Sequence, residues 1–219
     1  MNLEVGIIGG AGYTAGELIR LLLNHPKTNI NFVYSTSNAG NKVYKVHQDL
    51  IGSTEISFVD TIKTNIDVLF LCLGHGNSTK FLKENSFSSD TKIIDLSNDF
   101  RLNADKVLDE KEFVYGLPEL QKEQIKTAKY IANPGCFATA LQLAILPLAA
   151  HNLLQNDVHI NAVTGATGAG TSLSETTHFT YRDNNFSHYK AFTHQHLGEI
   201  NQTVIQLQAD FKSEINFMP

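Results

Sequence analysis

Two kinds of side chain in this sequence could do chemistry together, a thiol and a pair of imidazoles. Cys136 follows Asn133-Pro134-Gly135 and opens the apolar stretch Phe137–Ala150. Proline cannot continue a strand and glycine permits a tight bend, so the thiol is expected at a helix N-terminus. There the free N–H groups and the positive end of the helix dipole favour thiolate over thiol. On local features alone, a nucleophile and a plain buried cysteine both remain open. A thiolate nucleophile needs a proton-transfer partner, and His194-Gln195-His196-Leu197-Gly198-Glu199 supplies candidates. His196 and Glu199 are three apart on an expected helix, so the carboxylate can orient the imidazole or raise its pKa. His194 lies at the helix entrance. A capping or surface histidine is the competing reading, and a His-x-His metal site lacks an obvious third ligand, so no metal is expected. The other cysteine, Cys72, lies in an apolar run and reads as an inert buried thiol.

A second site is a place for phosphate. The apolar run Leu3–Ile8 is closed by Gly9-Gly10-Ala11-Gly12, and a helical pattern follows through Leu18, Leu21 and Leu22. Glycine lets backbone approach a pyrophosphate, and a helix N-terminus offers N–H donors and a positive dipole end. The pattern Gly9-x-x-Gly12-x-x-Ala15 is a variant of the dinucleotide fingerprint, and its alternative is a tight turn with no ligand. The second strand ends in Ser35-Thr36-Ser37-Asn38 rather than in an acidic residue. Neutral donors without a repelling carboxylate favour the 2′-phosphate of NADP(H), although no Arg stands in that loop. Arg101 follows Asp95-Leu96-Ser97-Asn98-Asp99-Phe100 at a strand's C-terminal end, where ligands of such sheets bind. Its guanidinium suits phosphate or carboxylate, but local features alone prefer a surface ion pair with Asp99.

These residues need elements to hold them. Strands are expected at Leu3–Ile8, Ile30–Tyr34, Ile56–Val59, Val68–Leu73, Ile93–Leu96 and Tyr130–Ala132, with helices after the first strand and at Asn77–Asn85. The runs Val68–Leu73 and Ile93–Leu96 are continuously apolar, as in a parallel sheet buried on both faces. Strands alternating with helices imply an α/β, Rossmann-like doubly wound parallel sheet. After the helix Phe137–Ala150 come a strand, Val158–Val163, a Gly/Thr/Ser-rich stretch at Thr164–Ser174, and a polar stretch with scattered aromatics. A last helix begins near His196, with Leu197, Ile200, Val204, Leu207 and Phe211 on one stripe. The boundary is expected near residue 147, giving a dinucleotide-binding domain over 1–147 and an α+β catalytic or dimerisation domain over 148–219.

The chain has 219 residues, 17 Lys+Arg against 22 Asp+Glu, a net charge of −5 and 42% hydrophobic residues. That composition is globular, and its mild acidity argues against nucleic acid or an anionic membrane as partner. No apolar run approaches a membrane span. Two cysteines are too few for a disulfide scaffold and nothing reads as a signal peptide, so a reduced, cytoplasmic protein is expected.

Together the motifs resemble the semialdehyde dehydrogenase family, in particular its arginine-biosynthesis branch, which reduces N-acetyl-γ-glutamyl phosphate. The matching stretches are Gly9–Leu18, Asp95–Leu102, Tyr115-Gly116-Leu117-Pro118-Glu119, Asn133–Thr139, Gly165–Gly170 and His194–Ile200, in the family's order and over nearly the whole chain. The resemblance implies that Cys136 is the acyl-thioester nucleophile and that the His194/His196/Glu199 block holds the acid/base histidine, with His196 preferred because Glu199 can orient it. It implies NADP(H) held by Gly9, Gly10, Ala11, Gly12, Tyr13, Thr14, Ser35 and Ser37, with Gly168 and Gly170 in a second loop near the nicotinamide. Arg101 would take the phosphate, with Asn133 and Tyr189 near the substrate. Thr171 departs from the basic residue usual after Gly-Ala-Gly. The family also continues beyond the equivalent of Pro219, so the second domain is expected to be C-terminally incomplete.

The expected reaction is NADPH-dependent reduction of N-acetylglutamyl 5-phosphate to the 5-semialdehyde with release of inorganic phosphate, by a homo-oligomer (dimer or tetramer). A related acyl phosphate (aspartyl, N-succinylglutamyl or aminoadipyl) is the alternative substrate. A nucleotide-binding protein without catalysis and a metal-dependent hydrolase using His194 and His196 are alternatives of other classes.

Overall fold

Strand β1 (Leu3–Ile8) forms from an apolar, β-branched run and stops where Gly9 takes a left-handed φ of 77°. Helix α1 (Tyr13–Leu23) follows and buries Ala15, Gly16 and Ile19 on one face. The computed structural model describes residues 2–219. Strand β2 (Thr28–Tyr34) pairs parallel with β1, and the short β3 (Phe58–Val59) pairs parallel with β2. The chain then crosses to the other side of β1 and forms β4 (Val68–Leu71), α2 (Asn77–Glu84) and β5 (Lys92–Asp95). A hairpin of β6 (Val107–Leu108) and β7 (Lys111–Tyr115), helix α3 (Pro118–Thr127) and β8 (Tyr130–Ala132) complete this part. The strand order is β3-β2-β1-β4-β5-β8-β7-β6, parallel except for the terminal β6–β7 pair. The order reverses beside β1, the topological switch at which open α/β sheets bind ligands.

Both faces of this sheet are covered, and the sequence shows why. Alternate residues of β4 enter different apolar clusters: Leu69 and Leu71 pack with Ile8, Phe32 and Ile93. Val68, Phe70 and Cys72 pack beside Val5, Ile7, Ile19 and Val33. Successive strand residues point to opposite faces, so a continuous apolar run is what a doubly covered strand requires.

The chain divides at Asn133/Pro134, not near residue 147. Helix α4 (Cys136–Ala150) runs through Pro147 and belongs to the second unit, where it packs against α6 (His196–Leu207). Proline removes one backbone donor near the end of α4 without ending the helix. The second unit also holds β9 (Val158–Asn161), the one-turn α5 (Phe179–Arg182) and β10 (Ile215–Met218), which pairs parallel with β9.

Other expectations shift. The connection from β2 to β3, for which the sequence reading names no element, carries three short 3₁₀ turns, at Thr36–Asn38, Val43–Lys45 and Gln48–Leu50. The α6 stripe is not purely apolar: His196, Glu199 and Thr203 are buried beside Ile200 and Val204, while Phe211 lies beyond the helix end. The β6–β7 hairpin and α3 have no counterpart in the sequence reading, because α3 buries no residue and so has no apolar stripe.

Candidate active site

In the second unit, Cys136 is the first residue of α4 and is exposed. Gly135 is its N-cap position, and no side chain caps the helix. The Gly135 N–H donates instead to Glu199 Oε2 at 3.0 Å. Glu199, only 3% exposed, sits on α6 with its other oxygen 3.9 Å from His196 Nε2. One buried carboxylate therefore ties the cysteine turn to the histidine helix. The His196 ring lies so close to Gly135 that any side chain there would run into it, which explains the glycine of the Asn-Pro-Gly-Cys motif.

His194 Nδ1 accepts a hydrogen bond from the His196 backbone N–H at 3.2 Å. That bond assigns the remaining proton-carrying position of a neutral His194 to Nε2. The ring meets those of Phe137, Tyr189, His196 and Phe217, with centroids 4.6–5.7 Å away. Burial, helped by the Lys190 ammonium, pushes the His194 pKa below the usual imidazole value. The Tyr189 hydroxyl is shifted the other way, above the usual phenol value, by burial and then by the neighbouring Cys136 sulfur. Thus the sulfur, a phenol and a predominantly neutral imidazole form one cluster on α4, α6 and the segment before it. Gly168 and Gly170 lie in an exposed turn, and Gly170 has the left-handed φ of 84° that favours glycine.

The first unit holds the glycine turn. Gly9 needs its glycine twice, since its φ is positive and a Cβ would strike the Cys72 carbonyl. A Cβ at Gly10 would meet Val33. A Cβ at Gly12 would find only Gly9 O, at 3.7 Å, so that position opens away from the protein. Gly12 is also the N-cap of α1, with no side-chain cap and no acidic residue in the first turn. The turn therefore presents backbone donors to an anion, and these residues fit a dinucleotide's phosphates. Tyr13 and Thr14 stand exposed at the helix start. At the end of β2, Asn38 Nδ2 donates to Ser35 Oγ at 3.3 Å and Ser37 Oγ at 3.1 Å, a cluster of neutral donors.

Arg101 is not the surface residue that local sequence suggests. It is buried, donating from Nε to the Asn133 carbonyl at 2.8 Å and from Nη2 to the Leu96 carbonyl at 2.9 Å. The oxygens of Asp99 accept from the Gly76 and Thr79 N–H groups and the Thr79 hydroxyl. Asp95, fully buried and given no role by the sequence reading, accepts from Ser78 and Ser97, and burial holds its pKa above the usual carboxyl value. Cys72 behaves as expected of an inert thiol, with burial pushing its pKa up to about 12. No group of residues that could hold a metal ion occurs among the described residues.

One unit holds a glycine turn that fits a dinucleotide and the other a thiol–imidazole cluster, features that suit an oxidoreductase. The semialdehyde dehydrogenase NAD-binding domain matches residues 4–128, and that family's dimerisation domain matches residues 136–219. The chain belongs to the semialdehyde dehydrogenase family. It is 66% identical over 217 residues to an N-acetyl-gamma-glutamyl-phosphate reductase of Flavobacterium johnsoniae, covering 99% of this chain and 67% of that protein. The protein of the same name from Christiangramia forsetii is also 66% identical, with 99% and 66% covered. The chain thus spans about two thirds of the length of these curated relatives. Its fold matches the crystal structure of an aspartate semialdehyde dehydrogenase with NADP from Candida albicans, with a TM-score of 0.66 at 13% identity. That likeness covers 100% of this chain and 67% of the other. Among the described residues, no helix is long and apolar enough to cross a membrane.

Proposed function

We propose that this chain carries the chemistry of an N-acetyl-γ-glutamyl-phosphate reductase: NADPH-dependent reduction of the acyl phosphate to N-acetylglutamate 5-semialdehyde, through a thioester on Cys136. The observation that carries this reading is the exposed Cys136 at the start of α4, tied through Gly135 and Glu199 to the His194/His196 pair. The names of the relatives support the substrate.

Cys136 sulfur attacks the γ-carbonyl carbon, the carbon–oxygen bond to phosphate breaks, and inorganic phosphate leaves. Arg101 and Asn133 take the phosphate end of the substrate, with the guanidinium held in place by the Asn133 and Leu96 carbonyls. The turn Gly9–Gly12, with Tyr13, Thr14, Ser35 and Ser37, would hold NADPH, and Gly168 and Gly170 would lie beside its nicotinamide. When bound, the nicotinamide would supply a hydride to the thioester carbon, and a histidine of the pair a proton to its oxygen, giving a thiohemiacetal. Carbon–sulfur cleavage then frees the aldehyde, returns the Cys136 thiolate and gives the hydroxyl proton back to the imidazole.

Sequence reasoning prefers His196 as the acid/base residue, but the geometry favours the other histidine. His196 Nε2 faces Glu199 and packs on Gly135, so His196 holds the cysteine turn. His194 leaves Nε2 for proton transfer and lies beside Tyr189, which senses the Cys136 sulfur. We assign proton transfer to His194 and positioning to His196 and Glu199. Exposed Leu173, Phe179, Phe186 and Phe192 on the dimerisation domain support a homo-oligomer.

The test is phosphate-dependent reduction of NADP⁺ by N-acetylglutamate 5-semialdehyde, run on this chain and on Cys136→Ser. Turnover that needs phosphate and falls at least about a thousand-fold in the variant is expected. Turnover with aspartate semialdehyde but none with the N-acetyl compound would contradict the substrate assignment.

A further inference from the structure

We infer that His47 is a positioning residue for the phosphate-binding turn, aiming the Ala11 N–H at the cofactor's pyrophosphate; the inference rests on the dinucleotide reading above. His47 belongs to no motif and stands 37 residues from the turn it touches. Its backbone is fixed between two 3₁₀ turns, with its N–H on the Val43 carbonyl and its carbonyl accepting from Leu50, both at 3.0 Å. Its ring is buried, and Nε2 lies 2.7 Å from the Gly10 carbonyl oxygen. A carbonyl can only accept, so Nε2 carries the hydrogen and donates it.

The other ring nitrogen lies against Gly16. A Cβ there would sit 2.5 Å from His47 Nδ1, so a side chain at this position would displace the ring. Glycine inside a helix costs roughly 1 kcal/mol relative to alanine. Room for the imidazole is a sufficient reason for that cost at Gly16.

The consequence reaches the ligand through peptide geometry. The Gly10–Ala11 peptide is trans, so the Gly10 C=O and the Ala11 N–H point in opposite directions. With the carbonyl drawn inward to His47, the Ala11 N–H faces outward, and it makes no hydrogen bond among the described residues. The Gly10 N–H, in the preceding peptide, is held by the Tyr34 carbonyl at 2.9 Å, so residue Gly10 is fixed through both its N–H and its C=O. His47 thereby adds one donor to the rim of the turn and keeps one acceptor away from an incoming anion.

The experiment is equilibrium titration of the full chain with two probes: NADPH, which has a pyrophosphate, and adenosine 2′-monophosphate, which has none. His47→Phe keeps a ring of similar bulk and removes the donor. Its Kd for NADPH should rise about five- to ten-fold, the effect of one hydrogen bond, while binding of adenosine 2′-monophosphate stays unchanged. His47→Gln, which restores an N–H at similar reach, should recover NADPH binding to within about two-fold of wild type. If the Phe variant fails to fold, His47→Gln decides, since equal weakening of both probes in it would make the residue merely structural. Equal weakening in His47→Phe, or unchanged NADPH binding, would likewise overturn the inference. Failure of the wild-type chain to bind either probe would overturn the dinucleotide reading, and this inference with it.

Discussion

At the scale of residues, the site depends on one carboxylate doing two jobs. Glu199 accepts the Gly135 N–H with one oxygen and faces His196 with the other, so the cysteine turn and the imidazole pair cannot move independently. If His194 carries the proton, His194→Asn should lower kcat by about 10²- to 10⁴-fold, the usual weight of a general acid or base. His196→Asn should act mainly through the turn and lower thermal stability as well. The pH profile separates the two roles. In the oxidative direction a neutral imidazole must accept the thiohemiacetal proton, and His194 has its pKa pushed down by burial and Lys190. Its acid limb should therefore lie below about pH 6.5, the ordinary imidazole value. Lys190→Met removes the repelling charge and should move that limb upward. An unmoved limb in Lys190→Met, with the limb abolished in His196→Asn, would return the proton to His196.

At the scale of elements, helix α2 shows how a loop is held in place. Its N-terminal N–H groups have no capping side chain of their own and are satisfied by Asp99 from the loop after β5. Burial alone would raise the Asp99 pKa, but the bonds from Thr79 and Gly76 outweigh it and hold the carboxyl below its usual value. A depressed carboxylate pKa means stability that is present above about pH 4 and lost as pH falls through the folded value. Asp99→Asn should cost about 1 kcal/mol at pH 7 and almost nothing near pH 2, read from urea unfolding at the two pH values. An equal loss at both would mean that charge plays no part. That arrangement was hidden from sequence reasoning, which paired Asp99 with Arg101 because they are neighbours in the chain. Which neighbour a buried arginine selects depends on carbonyls at Leu96 and Asn133 that only the sheet brings together.

At the scale of the molecule, what was legible followed from periodicity and punctuation. Continuous apolar runs marked β1, β4 and β5, and Gly9–Gly12 marked the switch point beside β1. The boundary expected near residue 147 falls instead at Asn133/Pro134, because α4 packs on α6 and so belongs with the second unit. His47 gave no signal, since it matters through a partner 37 residues away. The same division puts the dinucleotide turn and the thiol cluster in separate units, each with its own residues in place.

A nucleophilic Cys136 must be acylated during turnover, and omitting phosphate traps that acyl group. The chain is mixed with N-acetylglutamate 5-semialdehyde and NADP⁺ in the absence of phosphate, followed by nicotinamide absorbance and intact-mass spectrometry. A burst of reduced nicotinamide stoichiometric with the chain is expected, together with an N-acetylglutamyl adduct on the peptide containing Cys136. Added phosphate should then discharge that adduct. Sustained nicotinamide reduction without phosphate and without an adduct, or the same burst from Cys136→Ser, would contradict that acylation.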